Sequence, residues 1–378
     1  MSDLTGIIPA AGRGTRMAGS DSHIPKALIE VEGKPLIENA IESLVSIGVS
    51  KIVVVIGHRG ADVRDYFAAR DFPVQIEFAH QEKQLGLAHA IATASGLFTN
   101  DFVVFCPDNV YSDALDLGQA KTLFLDQRPP FLMVATVTPT HQQDRAKYFS
   151  GAMVSVAPHV YEYKVVDTSE ARGLAMNSTG CTFFRHDALQ YLPSFAGVYQ
   201  EISFHVYLTR LSTAGQPLIY LLRGMRYDFS GPQDLQAYGA LQNRLRHTEG
   251  AGVSAILLNR AGEVLLQHRD DNPAIRYPGH WALFGGSIEP RESAHAAARR
   301  EILEETGYNV ENLGLFREFV QNGKREFAFI GEISASLDDL SLTEGQAMDF
   351  IRPGDLPKFL IRPDDKETLK AYFGAWDE

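Results

Sequence analysis

Three glutamates, Glu301, Glu304 and Glu305, stand at i, i+3 and i+4 in the segment 286–308, GSIEPRESAHAAARREILEETGY. On a helix that spacing puts three carboxylates on one face, where each unrelieved like-charge pair costs about 0.2–0.5 kcal/mol. A divalent cation removes the repulsion. Hard oxygen donors that leave part of the shell to a phosphate suit Mg²⁺, with Mn²⁺ as a substitute. A cation so held acidifies water for attack on a diphosphate, and Glu304 or Glu305 can position that water. Arg300 can orient the carboxylates through a bidentate pair. A solvated acidic face is the plain alternative. Glu292 and Arg300 at fixed offsets, with the strand-and-turn stretch 281–286 (WALFGG) leading in, weigh against it. Glu344 is a further candidate base or ligand.

A second group of residues sits near the N-terminus. Gly12 and Gly14 in the stretch 10–17, AAGRGTRM, follow an apolar run from Leu4 to Pro9. Two glycines there let the backbone turn tightly and aim amides at an anion, as phosphate-cradling loops do. A plain structural turn explains two glycines equally well. No Gly-Lys-Ser/Thr follows, so this is not a P-loop, and Met17 stands where a dinucleotide fingerprint has its third glycine. An oxidoreductase reading therefore lacks support.

These residues need rigid elements beneath them. Residues 293–305 should be helical, with Ser293 as the N-cap, alanines of high propensity inside and Gly307 just past the end. Upstream, helix-like and strand-like segments alternate: strand Leu4 to Pro9, helix Pro35 to Ile47, strand Lys51 to Ile56, helix Ala61 to Ala69, strand Val74 to Phe78, helix Leu85 to Leu97 and strand Phe102 to Cys106. Phe131 to Val137 reads as a further strand. Continuous Val/Ile strands in such a series predict an α/β fold with a doubly wound, mostly parallel sheet covered on both faces. Ligands of such sheets bind beyond the carboxyl ends of the strands, where 10–17 and Pro107-Asp108-Asn109 fall. Pro232 to Leu245 should close this domain as a helix, and 247–252 (HTEGAG) has the composition of a linker. Val253 to Leu258 and Glu263 to Gln267 then form a hairpin. A last amphipathic helix is expected over Pro357 to Phe373. Tyr277 and Trp281 could stack on a base or serve as core aromatics.

The chain's 378 residues exceed what one core usually holds. We therefore expect two domains, 1–246 and 253–378, joined by 247–252. With 45% hydrophobic and 22% charged residues the composition is that of a globular enzyme. A net charge of −12 repels phosphate backbones and anionic membranes, which argues against nucleic-acid or membrane partners. A phosphate substrate must then be held by local cations. The two cysteines, Cys106 and Cys181, have neither zinc nor disulfide spacing. No apolar run reaches the roughly 18 residues of a membrane helix, and the start MSDLTG lacks a signal pattern, so a cytoplasmic protein is expected.

The segment 286–308 resembles the Nudix box, G-x5-E-x7-R-E-U-x-E-E-x-G-U, with only Tyr308 departing from the final aliphatic. That resemblance implies an α/β/α Nudix sandwich that hydrolyses nucleoside diphosphate derivatives. Glu301, Glu304 and Glu305 would be its metal ligands. A Nudix domain reduced to nucleotide sensing would have lost these glutamates. Clean-up of damaged nucleotides is a further alternative.

The N-terminal two thirds resembles the sugar-1-phosphate nucleotidyltransferases, with a Rossmann-like fold. The likeness runs through IIPAAGRGTRM, Ile24-Pro25-Lys26-Ala27-Leu28, Gln81-Glu82, the stretch 85–91 (LGLAHAI), Pro107-Asp108-Asn109, 177–184 (NSTGCTFF), Glu201-Ile202-Ser203 and 227–232 (YDFSGP). It implies a loop of Ala11, Gly12, Gly14 and Thr15 on the triphosphate, Arg16 on the leaving pyrophosphate and Lys26 near the α-phosphate. Gln81 and Gly86 would read a pyrimidine, giving UTP or dTTP preference. Asp108 and Asp228 would hold Mg²⁺, and Gly180 would lie on the sugar-facing strand. The family's Glu-Lys-Pro has no clean match. The corresponding region has Glu162 and Lys164 as candidates for the sugar and its phosphate, and Tyr227 replaces a tryptophan. The expected ligands are a nucleoside triphosphate, a sugar 1-phosphate and a nucleoside diphosphate sugar. Monomer and homo-oligomer both stay open.

Overall fold

The structure, a computed structural model, describes residues 4–12, 24–111, 115–138, 151–157, 160–165, 175–222, 226–246, 250–259, 261–290, 292–310, 313–321 and 323–374. Gly14, Thr15 and Arg16 lie outside these residues. The chain divides into two compact units, Met1–Leu222 with Arg226–Gln236, and Arg223–Met225 with Ala237–Glu378.

In the first unit the strands are β1 (Thr5–Pro9), β2 (Glu30–Val31), β3 (Lys34–Pro35), β4 (Lys51–Ile56), β5 (Gln75–His80), β6 (Phe102–Phe105), β7 (Asn109–Tyr111), β8 (Phe131–Thr138), β9 (Gly151–Ala157), β10 (Val160–Val165), β11 (Ala175–Phe184), β12 (Leu218–Leu221) and β13 (Arg226–Asp228). The helices are α1 (Leu36–Ser46), α2 (Gly60–Ala68), α3 (Leu87–Ala94), α4 (Leu115–Gln127) and α5 (Phe204–Leu211), while α6 (Pro232–Arg246) begins in the first unit and belongs to the second from Ala237 onward. The main sheet has the order β5-β4-β1-β6-β11-β8-β12-β10-β9. Strands β5, β4, β1 and β6 are mutually parallel, and only β10 and β11 run against the rest. It is the doubly wound, mostly parallel sheet that the β-α alternation predicts.

Alternate residues of each strand feed different cores, as the period of two requires. Ile8, Ile52, Val54 and Ile56 pack on one side with Ile37, Ile41 and Leu44 of α1 and Phe124 of α4. Ile7, Val53 and Val55 pack on the other with Ala88 and Ile91 of α3 and Tyr207 and Leu208 of α5. Because both faces are covered, the central strands carry no polar alternation. The predicted helix 85–97 is shorter than expected. It starts after Gly86 and ends in a 3-10 turn, Ser95–Leu97.

The second unit carries β14 (Gly252–Leu258), β15 (Val264–His268), β16 (Trp281–Ala282), β17 (Leu313–Gln321), β18 (Lys324–Glu332) and β19 (Ala347–Ile351), with helices α7 (Ala294–Thr306) and α8 (Pro363–Phe373). Its six strands form one mixed sheet, β16-β15-β14-β18-β17, with β19 paired to β15. The β14–β15 hairpin is in place, and β14 runs parallel to β18. Ile302 of α7 packs with Ala255, Leu257, Leu265 and Phe284. Tyr372 of α8 meets Phe316 of β17 edge-to-face at 5.4 Å. The last helix begins at Pro363 rather than near Pro357. Arg362 is extended (ψ 129°), the conformation proline imposes on its predecessor, and 353–358 forms a separate 3-10 turn.

Candidate active sites

In the first unit a cavity of about 540 Å³ opens past the carboxyl ends of β1, β5 and β6. Ala11, Gly12, Lys26, Gln81, Gln84, Gly86, Asp108 and Glu201 are among its walls. A second cavity, about 280 Å³, shares Leu87, Cys106, Asp108 and Ser230 with it and adds Asn109, Gly180 and Asp228. Residues drawn from seven separate stretches of sequence are thus gathered at the carboxyl end of the sheet.

Lys26 Nζ donates to Asp108 Oδ2 at 2.5 Å, and Asn109 Nδ2 donates to Asp108 Oδ1 at 2.8 Å. The antiparallel pair β7–β13 sets Asp228 opposite Asn109, and the Phe229 amide donates to the Asp108 carbonyl at 2.9 Å. Two aspartates 120 positions apart are therefore held side by side by a three-residue ladder. Ser230 Oγ donates to Asp228 Oδ1 at 2.8 Å, and Arg226 lies 3.4 Å from its Oδ2 while also donating to the Ser178 carbonyl. Two carboxylates with nearby cations and open space beyond suit a hydrated divalent cation that shares its shell with phosphate. Cys106 lines both cavities, but burial and the Asp108 charge push its thiol up, so it stays protonated and serves as wall.

Gly86 has φ +94°, and a Cβ there would meet the Ile202 carbonyl and Glu201 Cγ at 2.8 Å. Only glycine fits, for both reasons. Gly86→Ala should destabilise the protein by about 1–3 kcal/mol and weaken nucleotide binding. A thermal melt paired with UTP titration checks it, and unchanged values in both would refute the crowding. Glu162 is half-buried on β10 and, among the described residues, lines neither cavity. Lys164 is on the same strand.

In the second unit Ser293 caps α7 by accepting from the Ala296 amide, and Gly307 ends it in the left-handed conformation (φ 69°). Arg300 binds Glu292 with two donors at 3.0 Å, and its Nη1 reaches Glu301 at 2.9 Å and Glu304 at 3.1 Å. Its Nη2 also donates to the Ser287 carbonyl, tying the glycine turn to the helix. Gly286 leaves the room that the Glu301 carboxylate occupies, since a Cβ there would meet it. Burial pushes the Glu301 carboxyl up. Glu305 is buried too, and desolvation, then the charges of Glu301 and Glu344, push it up to about 7. Its oxygens accept from the Gly285 amide at 3.1 Å and Gln267 Nε2 at 3.5 Å. Thr343 anchors the loop carrying Glu344 by bonds to the carbonyls of Glu304 and Glu305. Carboxylates crowded on one helix face are the donor set a divalent cation stabilises.

Arg300→Lys would keep the charge and lose the fork. A loss of hydrolysis of about 10–100-fold is expected, the usual scale for groups that orient metal ligands. Steady-state rates with saturating Mg²⁺ check it, and a near-normal rate would show that charge alone suffices.

Several contributors were not predicted from sequence. Gln84 Nε2 holds the Ala11 carbonyl at 2.7 Å from 73 residues away, and Gln267 reaches Glu305 from 38 away. Arg226 and Asp365 are of the same kind. Buried Asp365 accepts from the Leu283 amide at 3.0 Å and from Arg362 at 2.7 Å, fixing the strand that leads to Gly285. Tyr277 and Trp281 are both partly buried. Trp281 stacks on His268 at 5.0 Å, and Tyr277 lies 5.5 Å from His280.

Residues 5–151 match the family profile "Nucleotidyl transferase", and residues 248–372 match "NUDIX domain". A UTP-glucose-1-phosphate uridylyltransferase of Haloferax volcanii is 34% identical over 109 residues, which are 29% of this chain and 45% of that protein. The chain thus spans less than half of that relative's length. A Bacillus subtilis protein provisionally named an 8-oxo-dGTP diphosphatase is 35% identical over 129 residues, 33% of this chain and 80% of that one. A UDP-glucose pyrophosphorylase solved with UDP-glucose has the same fold over 64% of this chain and 99% of its own, with TM-score 0.55 and 22% identity. Among the described residues no helix is long and apolar enough to cross a membrane.

Proposed function

The chain belongs to the Nudix family by its C-terminal domain and carries a nucleotidyl transferase domain before it, and on that premise we propose a bifunctional Mg²⁺-dependent enzyme. The first domain moves a nucleotidyl group from UTP or dTTP to a sugar 1-phosphate, giving a nucleoside diphosphate sugar and pyrophosphate. The second hydrolyses a nucleoside diphosphate derivative. One observation carries the reading: the first unit brings acidic and basic side chains from distant positions to one cavity, and the second gathers them on one helix and the turn before it, each arrangement suited to phosphate and a divalent cation.

Phosphoryl displacement needs alignment and charge neutralisation more than covalent help from the protein. In the first site Asp108 and Asp228 would hold the cation, which when bound screens the triphosphate charge. Lys26, released from Asp108, then meets the α-phosphate, and Arg16 the leaving pyrophosphate. Gln81 and Gly86 take the base edge. Gly180 faces the sugar, and Glu162 and Lys164 remain its candidate partners. In the second site Glu301, Glu304 and Glu305 would hold the cation, which supplies an acidified water. Arg300 aligns the carboxylates. Glu305, with a pKa near neutrality, can take the water's proton.

Protons and cation compete for Glu305. Between about pH 5.5 and 7 its bound proton must leave first, so apparent Mg²⁺ affinity of the second site should rise about tenfold per pH unit, then level off. Mn²⁺ titration of the Asp108→Asn chain measures it. A flat profile would remove Glu305 from the ligand set.

The two sites share a chemical intermediate, a sugar phosphate. We propose that the second domain cleaves a sugar nucleotide of one base and the first recharges the released sugar phosphate with another. Tethering through 247–252 raises the effective concentration of that intermediate. The likeness to the Bacillus subtilis protein favours a second reading, removal of damaged triphosphates such as an oxidised dGTP. Screening the Asp108→Asn chain against sugar nucleotides of all bases and against intact and oxidised triphosphates separates them. Cleavage confined to triphosphates would end the exchange reading, as would cleavage of the first domain's own product alone.

A further inference from the structure

Gln81 directly follows β5 as a nearly fully buried wall of the larger cavity, and its amide is already partly committed. Nε2 lies 3.3 Å from the Gly86 carbonyl oxygen and 2.9 Å from His89 Nδ1. A carbonyl can only accept, so the Gln81 atom facing Gly86 must be the nitrogen. Its second N–H then points at His89, whose Nδ1 carries the lone pair and whose Nε2 carries the proton. Burial lowers the His89 pKa, which keeps the ring neutral and the lone pair available. The ring is fixed from the other side by Phe195 at 4.8 Å, and by its place in the first turn of α3.

With both N–H groups taken, Gln81 has only its carbonyl oxygen left for a ligand. A lone acceptor at that wall selects a base that brings an N–H. The imino N3–H of uracil or thymine supplies one, whereas cytosine presents an unprotonated N3 at the same place. Gly86 alone cannot hold this orientation, because a 3.3 Å bond is long and a half-turn of the amide exchanges oxygen for nitrogen at little cost. The shorter contact decides.

We propose that His89 is a positioning residue that sets the base preference of the nucleotidyl transferase site: it holds the Gln81 amide so that an acceptor faces the nucleobase. The inference rests on the reading of this cavity as a uracil- or thymine-binding site, and it adds the group that enforces the choice. His89 itself does not touch the nucleotide.

The test is nucleotide binding by the full chain, which needs no knowledge of the sugar. UTP, CTP, ATP and GTP are titrated calorimetrically with Mg²⁺ into wild type, His89→Phe and His89→Asn. Phenylalanine keeps the ring packed on Phe195 and removes the acceptor, while asparagine returns an acceptor at the δ position. Wild type should favour UTP over CTP by at least about 100-fold, since a site built around one hydrogen bond rejects the ligand lacking it. His89→Phe should cut that ratio by about tenfold or more, mainly through tighter CTP binding, because a freed amide can turn its N–H to cytosine N3. His89→Asn should recover most of the ratio. Equal weakening of UTP and CTP in His89→Phe would overturn the proposal, because that is what loss of packing alone produces. A wild-type preference for ATP or GTP would instead overturn the pyrimidine reading on which it stands.

Discussion

Glu305→Gln is expected to abolish hydrolysis by the second domain, by about 10³-fold or more, and at the same time to stabilise the metal-free protein above neutral pH. The two effects have one cause. Glu305 is buried against Gly285 and Gln267 with Glu301 and Glu344 nearby, and its folded pKa is pushed up to about 7 from the 4.5 of a free carboxyl. A carboxylate raised on folding binds more protons in the folded than in the unfolded state between those values, so stability falls as pH rises through that window. Below about pH 4.5 the cost is absent. Above about pH 7 it is fully present, on the order of 3 kcal/mol at 1.36 kcal/mol per unit. Glutamine keeps the shape and the Gly285 bond without the charge. The variant's melting temperature should therefore exceed wild type at pH 8 without metal and match it at pH 4. Saturating Mg²⁺ should erase the gap, because binding at the second site stabilises wild type and not the variant, while the first site contributes equally to both. A variant that melts at or below wild type at pH 8 would contradict the strained-carboxylate account. Nucleotidyl transfer should be untouched.

Asp108→Asn is expected to lower nucleotidyl transfer by about 10³-fold or more while leaving hydrolysis intact. Asp108 lines both cavities, its carboxylate accepts from Lys26 and Asn109, and its carbonyl accepts from the Phe229 amide next to Asp228. Asparagine preserves size and can still accept from Lys26. It removes the charge that, with Asp228, would hold the cation over the triphosphate. The Lys26–Asp108 pair is partly exposed, with side-chain accessibilities of 24% and 28%, so its loss should change stability little, within about 1 kcal/mol. Activity and stability thus part company. Pyrophosphate release and a melt on the same sample read both, and a rate within tenfold of wild type would remove Asp108 from the metal set.

Local signals were legible in the chain and long-range ones were not. Ser293 and Gly307 bracket α7 because caps act through the adjacent turn, so residue type alone reveals them. The three glutamates follow from the helical period. The reversed direction of β11 within the sheet has no such signature, since a strand covered on both faces is an apolar run whichever way it points. The bonds of Gln84 to Ala11, of Arg226 to Ser178, and of Gln267 to Glu305 arise only when the sheets assemble. Polar residues of that kind carry no spacing pattern. The start of α8 was in principle readable. Pro363 marks it, and the apolar pattern upstream obscured the mark.

One chain should both make and break nucleoside diphosphate bonds, each at its own site. Phosphorus-31 NMR of one tube follows every species: full chain, Mg²⁺, UTP and a mixture of sugar 1-phosphates, repeated with Asp108→Asn and with Glu305→Gln, and again with sugar nucleotides in place of UTP. The account predicts that wild type forms a sugar nucleotide and pyrophosphate in equal amounts and hydrolyses a supplied nucleoside diphosphate derivative. Asp108→Asn should lose only the first reaction, Glu305→Gln only the second. Loss of both reactions in either variant, or no sugar nucleotide from any combination with wild type, would contradict it.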